Sequence, residues 1–462
     1  MISLLLLGII WGQVLSQSSI TIVVLSQKSE LHDRLTNDLK KNVLTSIRSA
    51  GIKAKVLNTI DDFPNHIGSW TIFPILHSLY NNHQSEWYLF VEPETSVSLA
   101  GLASFISSED PKHSSYFGFA LQDTSPTIIH HFHGFDRQDD QMTYPDWSAG
   151  MLVSGALLKR IVEETEDKKH FSGFAIDPKH EFSRFLEENL SVKLQARNKI
   201  FCLFPESTCI TQYKQYANSG NVCSYPVNDN NFYVAVKTFS EYHRTRLVVT
   251  KRTWANSVLH VDYISDIEDQ FVPTITLGVE NTNRGHCAKT FAILNHFYHN
   301  NAQNNFDWLI IADDDTLLSI PRLKKLLQCY NPKKKLIIGE RYGYGFDHHG
   351  RSGYDYPTGG SGMVFSRTAV EEIVKGCSCP QADSPDDMIL GMCAESKSIP
   401  LIHSPAFHQA RHRDYSEDYI RKLLPISFHK LEEIDPYADY VNYLKDDSPI
   451  THTTTTTRHT EL

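Results

Sequence analysis

Short apolar segments followed by polar helical segments recur along the chain and divide it into two halves. An apolar run at residues 20–25 (ITIVVL) opens the first half, and a similar run at residues 232–236 (FYVAV) opens the second. The polar segment after each run has the pattern of a helix. Strands that alternate with helices predict an α/β fold, with a mostly parallel sheet under helices in each half.

Two further pairs of segments indicate that the halves are copies of one unit. Residues 87–95 (WYLFVEPET) align with residues 308–316 (WLIIADDDT), and residues 144–151 (YPDWSAGM) align with residues 356–363 (YPTGGSGM). Both pairs are separated by nearly the same number of residues. We therefore predict a duplication, with the chance similarity of two strand–loop patterns as the alternative.

The differences between the copies indicate which half carries chemistry. The second copy has three consecutive aspartates where the first has Glu92, Pro93 and Glu94, and Trp147 stands where the second copy has Gly359. Glycine lets a backbone approach a ligand closely, whereas an indole occupies that space. We expect the first half to be a degenerate copy without a donor site.

Asp313, Asp314 and Asp315 directly follow the apolar run 308–312, which reads as a buried strand. Ligands of α/β sheets bind at the carboxyl ends of strands. Three adjacent carboxylates repel one another unless a cation neutralises them, and oxygen ligands favour Mg²⁺ or Mn²⁺. Such an ion would stabilise the charge on a departing diphosphate.

Two alternatives to a metal site remain for this acidic loop. It could be a solvated turn without a ligand. It could also belong to a phosphatase of the haloacid dehalogenase type, but Leu317 stands where that signature needs threonine or valine, so this interpretation is weaker.

A glycine-rich turn and a second acidic pair are further candidates. Gly359 and Gly360 precede a strand at residues 363–365, where bare backbone could lie against a sugar or phosphate, although an ordinary turn needs no ligand. Asp386 and Asp387 follow Pro385 at the start of an apolar segment. Ser384 as N-cap and proline at N1 explain this segment as a helix start. A general base is compatible with the same position, because the helix dipole keeps a carboxylate ionised.

Length and terminal segments predict a secreted-pathway protein with two domains. The 462 residues exceed what one core usually organises. We predict a signal peptide at 1–16, a degenerate domain with a linker at 17–225, a catalytic domain at 226–450 and a flexible tail at 451–462. The tail ends in HTEL, which resembles endoplasmic reticulum retrieval signals and implies a retrieval receptor as partner. The alternative for residues 1–16 is a buried first strand.

Composition excludes some classes of function. The formal net charge of −10 and the lack of a basic stripe argue against nucleic-acid binding. After the first residues no apolar run reaches the length of a membrane span. Eight cysteines, an even number, predict disulfides in an oxidising compartment and leave their pairing open. Zinc is disfavoured because CxxC pairs are absent.

Several motifs of the second half occur in the order found in Fringe-like glycosyltransferases, which this half resembles. They are FYVAVKT at 232–238, YHRTRL at 242–247, TW at 253–254, the aspartate triplet, TGGSG at 358–362, PDD at 385–387 and FH at 407–408. The degenerate first copy, SPDDM at 384–388, FHQAR at 407–411 and the tail are similar to the branch of this family that adds beta-1,3-linked glucose to O-linked fucose. That resemblance covers nearly the whole chain.

The resemblance implies tandem GT-A-like, that is Rossmann-like, domains and assigns roles to single residues. Its residue assignments are Arg246, Asp313, Asp314, Gly359 and Gly360 for donor binding, Asp315 and His408 for the metal, and Asp387 as catalytic base. Fringe proteins use a second histidine as ligand where this chain has Ala410. His408, His412 or water would therefore complete the metal shell.

The implied reaction transfers glucose from UDP-glucose, with inversion, to the 3-hydroxyl of fucose on thrombospondin type 1 repeats in the endoplasmic reticulum lumen. The implied cofactor is Mn²⁺, with Mg²⁺ as the alternative. Two other functions stay open. One is a galactosyl- or N-acetylglucosaminyltransferase of the same family, and the other is a non-catalytic lumenal lectin or folding factor.

Overall fold

A computed structural model of the chain describes residues 18–123, 127, 142–166, 173–215 and 223–445. We call residues 18–215 the first half and residues 223–445 the second half. The predicted signal peptide and the HTEL tail lie outside the described residues. Among the helices of this described part, none has the length and apolar character needed to cross a membrane.

The first half folds around a mixed sheet covered by helices. Its strands are β1 (Ser19–Val24), β2 (Lys53–Asn58), β3 (Trp87–Val91), β4 (Thr95–Val97), β5 (Tyr116–Gly118), β6 (Ala120–Leu121), β7 (Tyr144–Pro145), β8 (Met151–Ser154), β9 (Phe174–Ala175), β10 (Gln195–Ala196), β11 (Phe201–Cys202) and β12 (Thr211–Tyr213). Its helices are α1 (Glu30–Ala50), α2 (Phe73–Asn82), α3 (Leu99–Ser107), α4 (Gly155–Thr165) and α5 (Pro178–Leu190). The described strands of the main sheet have the order β10-β5-β8-β3-β1-β2.

The second half has a larger sheet of the same kind. Its strands are β13 (Phe232–Lys237), β14 (Val261–Ser265), β15 (Thr274–Thr276), β16 (Trp308–Asp313), β17 (Thr316–Leu318), β18 (Ile337–Gly339), β19 (Arg341–Tyr344), β20 (Tyr354–Pro357), β21 (Met363–Ser366), β22 (Leu401–His403) and β23 (Ser427–His429). Its helices are α6 (Arg246–Arg252), α7 (Cys287–Asn304), α8 (Ile320–Leu327), α9 (Arg367–Gly376), α10 (Asp386–Ser396), α11 (Glu417–Lys422) and α12 (Pro436–Asp439). The main sheet has the order β15-β14-β13-β16-β21-β18-β22.

The central strands are buried on both faces, which explains their apolar sequences. Val234 of β13 and Ile310 of β16 pack into the core on one side of the sheet, whereas Ala235 and Ile311 pack into the core on the other. A strand covered on both faces needs apolar residues at successive positions rather than alternation. The predicted strands at residues 232–236 and 308–312 are confirmed.

The same local arrangement recurs at the end of the central strand in both halves. In the first half, β3 leads into β4, which pairs with β12; in the second, β16 leads into β17, which pairs with β23. The Thr95 hydroxyl donates to the Ser148 carbonyl over 2.9 Å, and the Thr316 hydroxyl donates to the Gly360 carbonyl over 2.7 Å. These equivalent contacts extend the sequence repeat into three dimensions.

Two details differ from the sequence predictions. The end of the segment 17–225, where we expected a linker, includes β12, which adds to a small sheet of the first half. Helix α10 begins at Asp386 with Pro385 as its N-cap, one residue later than predicted from Ser384. The Ser384 carbonyl instead accepts a hydrogen bond from the backbone N–H of Cys287, so this residue belongs to the packing of α7.

All eight cysteines form disulfides, as predicted. The pairs are Cys202–Cys209, Cys223–Cys329, Cys287–Cys379 and Cys377–Cys393. Cys287–Cys379 ties α7 to the segment before α10, and Cys377–Cys393 ties that segment to α10. Helix α10 is therefore held covalently beside α7.

The two halves share backbone and side-chain contacts. Strand β9 of the first half pairs with β19 of the second in one three-stranded sheet. The Gln27 side chain bonds both the N–H and the carbonyl of His403, and Trp70 Nε1 donates to Asp355 over 2.8 Å. The carboxyl ends of both central sheets therefore lie near this contact.

Candidate active site

The acidic loop lies at the carboxyl end of β16. Asp313 ends this strand, and Thr316 fixes the turn that follows, because its hydroxyl accepts from the Asp313 N–H over 3.2 Å and donates to the Gly360 carbonyl. One threonine thus joins the acidic loop to the glycine-rich turn. The two predicted motifs meet in one place, although about forty residues separate them in the sequence.

A cluster suited to a metal ion forms from Asp313, Asp315 and His429, whose ligand atoms all lie within 4.8 Å of one another. His429 is on β23, directly opposite Thr316 in the strand pair. Its Nε2 lies 3.2 Å from Asp315 Oδ1, and its Nδ1 lies 3.0 Å from the Gln409 carbonyl oxygen. A carbonyl that accepts from Nδ1 leaves Nε2 for a metal, the arrangement usual for histidine ligands.

The prediction that His408 is the metal ligand differs from the structure. Its Nδ1 lies 2.9 Å from the Ser427 carbonyl, and its ring stacks on Phe428 with 4.8 Å between centroids. His412 is also elsewhere, with Nδ1 2.7 Å from Asp439. Among the described residues, the imidazole beside the carboxylates is that of His429. Sequence reasoning missed it because its approach depends on the pairing of β17 with β23.

The charges around this cluster favour a cation. Burial opposes ionisation of Asp315, but His429 and Arg246 outweigh it and hold the pKa of Asp315 to about 2. Burial also opposes protonation of His429, yet Asp315 and Asp313 raise its pKa. The two carboxylates thus favour positive charge at this place, which a metal ion would supply. Two carboxylates and one imidazole are a donor set suited to Mn²⁺ or Mg²⁺.

Asp314 does not belong to this cluster, although its Oδ1 lies 3.8 Å from Arg246 Nη1. Its Oδ2 accepts from the Thr238 hydroxyl over 2.7 Å, and its backbone carbonyl accepts from the Thr250 hydroxyl. Burial raises the pKa of Asp314 to about 7. The donor-binding role predicted for Asp314 stays a prediction, and the observed contacts anchor the loop to β13 and α6.

Arg246, predicted to bind the donor, lies beside the acidic loop. It begins α6, its Nη1 is 2.8 Å from Asp315 Oδ2, and its guanidinium lies over the Tyr242 ring at 4.2 Å. A guanidinium presents paired donors that suit phosphate oxygens. Its position is therefore compatible with the predicted role.

The two glycines of the turn differ in what surrounds them. A Cβ on Gly360 would lie 2.4 Å from the His429 ring, so only glycine allows this imidazole its position. A Cβ on Gly359 would meet only the Lys237 ammonium at 3.9 Å, so Gly359 leaves space open beside the acidic loop. At the equivalent place in the first half, the Trp147 side chain is buried.

Lys237 connects the two acidic motifs and was not predicted. Its Nζ lies 3.0 Å from Asp313 Oδ1 and 3.0 Å from Asp386 Oδ2. Asp386 also accepts from the Thr290 hydroxyl over 2.6 Å. Burial opposes the charge of Asp386, but Lys237 and Thr290 hold its pKa to about 2. The available signal was a lysine at the end of an apolar strand, since lysine is rarely buried unless paired.

Asp387, the predicted base, is the half-buried second residue of α10. Burial and the neighbouring Asp386 charge raise the pKa of Asp387 to about 7. Helix α10 packs closely on β20, because a Cβ on Gly391 would lie 2.4 Å from the Asp355 carbonyl. A carboxyl group whose pKa lies near neutral pH is suited to proton transfer. Asp386 is less suited, because it is paired with Lys237.

Known proteins resemble this chain in both its second half and its whole length. The family described as Fringe-like matches residues 227–453. The beta-1,3-glucosyltransferases of Mus musculus and Homo sapiens are each 38% identical over 92% of this chain, which covers 86% of the mouse protein and 84% of the human one. The chain belongs to the Fringe-like glycosyltransferase family.

More distant members show the breadth of the family. The glycoprotein-N-acetylgalactosamine 3-beta-galactosyltransferase 1 of Xenopus laevis is 28% identical over 34% of this chain and 42% of its own length. As a member of the Fringe-like family, the protein is a beta-1,3-glycosyltransferase that uses a UDP-sugar donor and a glycoprotein acceptor. The family generally uses a divalent metal, in agreement with the aspartate–histidine cluster. The predicted α/β fold class and family are confirmed.

Proposed function

We propose that the protein transfers glucose from UDP-glucose to the 3-hydroxyl of fucose O-linked to thrombospondin type 1 repeats. The observation that supports this choice is the similarity to the mouse and human beta-1,3-glucosyltransferases over 92% of the chain, which includes the degenerate first half. Similarity to the galactosyltransferase of Xenopus laevis covers 34% of the chain.

The donor site in this proposal is the cluster at the end of β16. Asp313, Asp315 and His429 would hold a divalent ion, Mn²⁺ or Mg²⁺. When bound, this ion supplies positive charge that stabilises the UDP leaving group. The Arg246 guanidinium, 2.8 Å from Asp315, would lie beside the phosphates of the bound UDP-sugar. Gly359 leaves the space that the donor sugar occupies.

Asp387 acts as general base in the proposed reaction. It accepts the proton of the fucose 3-hydroxyl while that oxygen forms a bond to C1 of glucose and the bond from C1 to the UDP oxygen breaks. One displacement inverts the anomeric centre. Lys237 keeps Asp386 ionised and in place, so α10 presents Asp387 at a fixed position.

We also propose that the protein acts in the endoplasmic reticulum lumen and is returned there by a retrieval receptor. The support is the apolar segment at residues 1–16, the HTEL ending and the disulfides, which form in oxidising compartments. Deleting residues 459–462 should move the protein into the culture medium. Unchanged retention would contradict the role of the HTEL ending.

A donor screen tests the proposed reaction. The purified chain with Mn²⁺ is incubated with a fucosylated thrombospondin type 1 repeat and, separately, UDP-glucose, UDP-galactose or UDP-N-acetylglucosamine, and the acceptor mass is measured. Addition of one hexose from UDP-glucose alone supports the proposal, and the Asp387→Asn variant serves as the inactive control. Addition from another donor would replace glucose by that sugar, and no addition would favour the lectin alternative.

A further inference from the structure

A cavity lies between the two halves, at the place in the first half that corresponds to the donor site of the second. Its volume is about 110 Å³, and Glu92, Glu94 and Trp147 line it. These residues stand where the second half has Asp313, Asp315 and Gly359. The second half closes the cavity with a further set of side chains, which includes Glu340, Arg341, His403, Tyr415, Tyr419 and Lys422.

The charged groups of this cavity are balanced by one another. Lys422 is paired with the buried Asp146, and Arg341 lies 4.0 Å from Asp355. Burial raises the pKa of Glu94 to about 7 and that of Glu340 to about 8, so a proton neutralises each carboxyl for a substantial part of the time near pH 7. A site whose charges are balanced within the protein suits an uncharged ligand better than a nucleotide diphosphate.

Three buried polar atoms among the lining side chains have no hydrogen-bond partner in the described structure. They are His32 Nδ1, Trp147 Nε1 and Arg341 Nε, and the three side chains belong to residues that are 7%, 3% and 8% exposed. Buried polar groups in proteins are nearly always hydrogen-bonded, so three such atoms on residues that line one cavity favour a polar ligand over an apolar one. Hydroxyl groups can satisfy all three, because each hydroxyl both donates and accepts.

Aromatic side chains give the cavity apolar surfaces as well. Trp70, Trp147, Tyr415 and Tyr419 line it, and the Arg341 guanidinium lies over the Trp70 ring at 4.3 Å. Flat apolar faces beside convergent polar groups are typical of small-molecule sites. A water molecule needs roughly 10–15 Å³ of cavity volume measured in this way. The cavity of about 110 Å³ therefore has room for several waters or for one sugar ring.

We propose that this cavity binds a single neutral sugar ring, either free or at the end of a glycan. The ring offers apolar faces to the aromatic side chains and hydroxyls to His32, Trp147, Arg341 and the Glu94 carboxyl. The copy of the donor site in the first half, with glutamates in place of Asp313 and Asp315, has thus become a saccharide site. This inference does not depend on which donor the second half uses.

The test titrates the full chain with methyl β-D-glucopyranoside and methyl α-L-fucopyranoside, each detected by saturation-transfer NMR and by the change in tryptophan fluorescence. Two matched variants distinguish the sites. Ile176→Trp places an indole in the cavity, whereas Gly359→Trp places one in the donor site of the second half. We expect Ile176→Trp to raise the dissociation constant at least about tenfold and Gly359→Trp to leave it within about twofold.

A second cavity variant keeps the test valid if Ile176→Trp does not fold. Glu94→Leu removes the carboxyl at similar volume and should weaken binding by up to about tenfold, the loss expected for one hydrogen bond. Equal UDP affinity in the two cavity variants, Ile176→Trp and Glu94→Leu, shows that their fold is intact. A fucosylated repeat that binds with the same dependence on Ile176 identifies a glycan end as the ligand, and binding of the glycosides alone identifies a free sugar.

Two results would overturn the proposal. One is the absence of saturable binding of either glycoside to the unmodified chain, which would mean that the cavity holds water only. The other is binding that Gly359→Trp abolishes and both cavity variants leave unchanged, which would place the sugar in the donor site.

Discussion

His429 and His408 differ in what their side chains contact, and this difference predicts that only mutation of His429 weakens metal-dependent donor binding. His429 Nε2 lies 3.2 Å from Asp315, whereas the His408 ring stacks on Phe428. We expect His429→Gln to weaken Mn²⁺-dependent UDP binding by at least about tenfold, since it removes a ligand, and His408→Gln to leave that affinity nearly unchanged. Calorimetric titration of UDP with and without Mn²⁺ measures both. The reverse order of effects would restore His408 as the ligand.

Asp387 should give transfer a pH dependence near neutrality. Burial and Asp386 raise the pKa of Asp387 to about 7, and a base works only when ionised. The turnover number should therefore fall as pH is lowered from about 8 to about 6, and Asp387→Asn should lose transfer while keeping the fold and UDP binding. The measurement is initial rate against pH at saturating Mn²⁺ and substrates. A flat profile, or more than a few per cent of turnover in Asp387→Asn, would remove the base assignment.

The sequence allowed prediction of those site residues that belong to local motifs. Asp313, Asp315 and Gly360 meet in the structure because each motif ends or begins a buried strand. His429 and Lys237 depend on which strands and helices become neighbours. Lys237 contacts Asp386, which is far away in sequence, and no local pattern encodes that distance.

The threonine at the end of the central strand offers a matched comparison between the two halves. Thr316 and Thr95 each accept from the backbone N–H of an acidic residue and donate to a carbonyl in the facing turn. Valine at either position should lower the free energy of unfolding by about 1–3 kcal/mol, because buried backbone groups lose their partners. Thr316→Val alone should also lower kcat/KM, by about tenfold or more, since it loosens the acidic loop.

Chemical denaturation and transfer assays on both threonine variants check this expectation. A loss of transfer in Thr95→Val equal to that in Thr316→Val would show that the first half takes part directly in the reaction.

The elements themselves were predicted best where burial is complete. Strands β13 and β16 are apolar at successive positions, so their sequences identify them without knowledge of neighbours. The pairing of β12 with β4 could not be predicted, because β12 has three residues and its partner lies more than a hundred residues earlier in the chain. The start of α10 was displaced by one residue, since Pro385 serves as the N-cap in place of Ser384.

The halves are joined by polar contacts in a buried setting, so we expect the molecule to unfold as one cooperative unit. Lys422 of α11 in the second half pairs with Asp146 of the first and donates to Ser148 over 2.9 Å. Burial opposes the charge of Asp146, but Lys422 and Lys179 outweigh it and hold the pKa of Asp146 to about 2. Asp146, which stands where the second half has Thr358, thus anchors one half to the other.

A double-mutant cycle on Asp146 and Lys422 tests this anchoring in the full chain. Asp146→Asn and Lys422→Met should each lower the free energy of unfolding by about 3–5 kcal/mol, because each leaves a buried charge unpaired. The double variant should lose less than the sum, by about 0.5–3 kcal/mol. The exposed pair of Lys334 and Glu30 is the control, and Lys334→Met should cost less than about 1 kcal/mol. Urea denaturation followed by fluorescence measures all four variants. Strict additivity at Asp146 and Lys422 would show that the two side chains stabilise their own halves independently and do not anchor one half to the other.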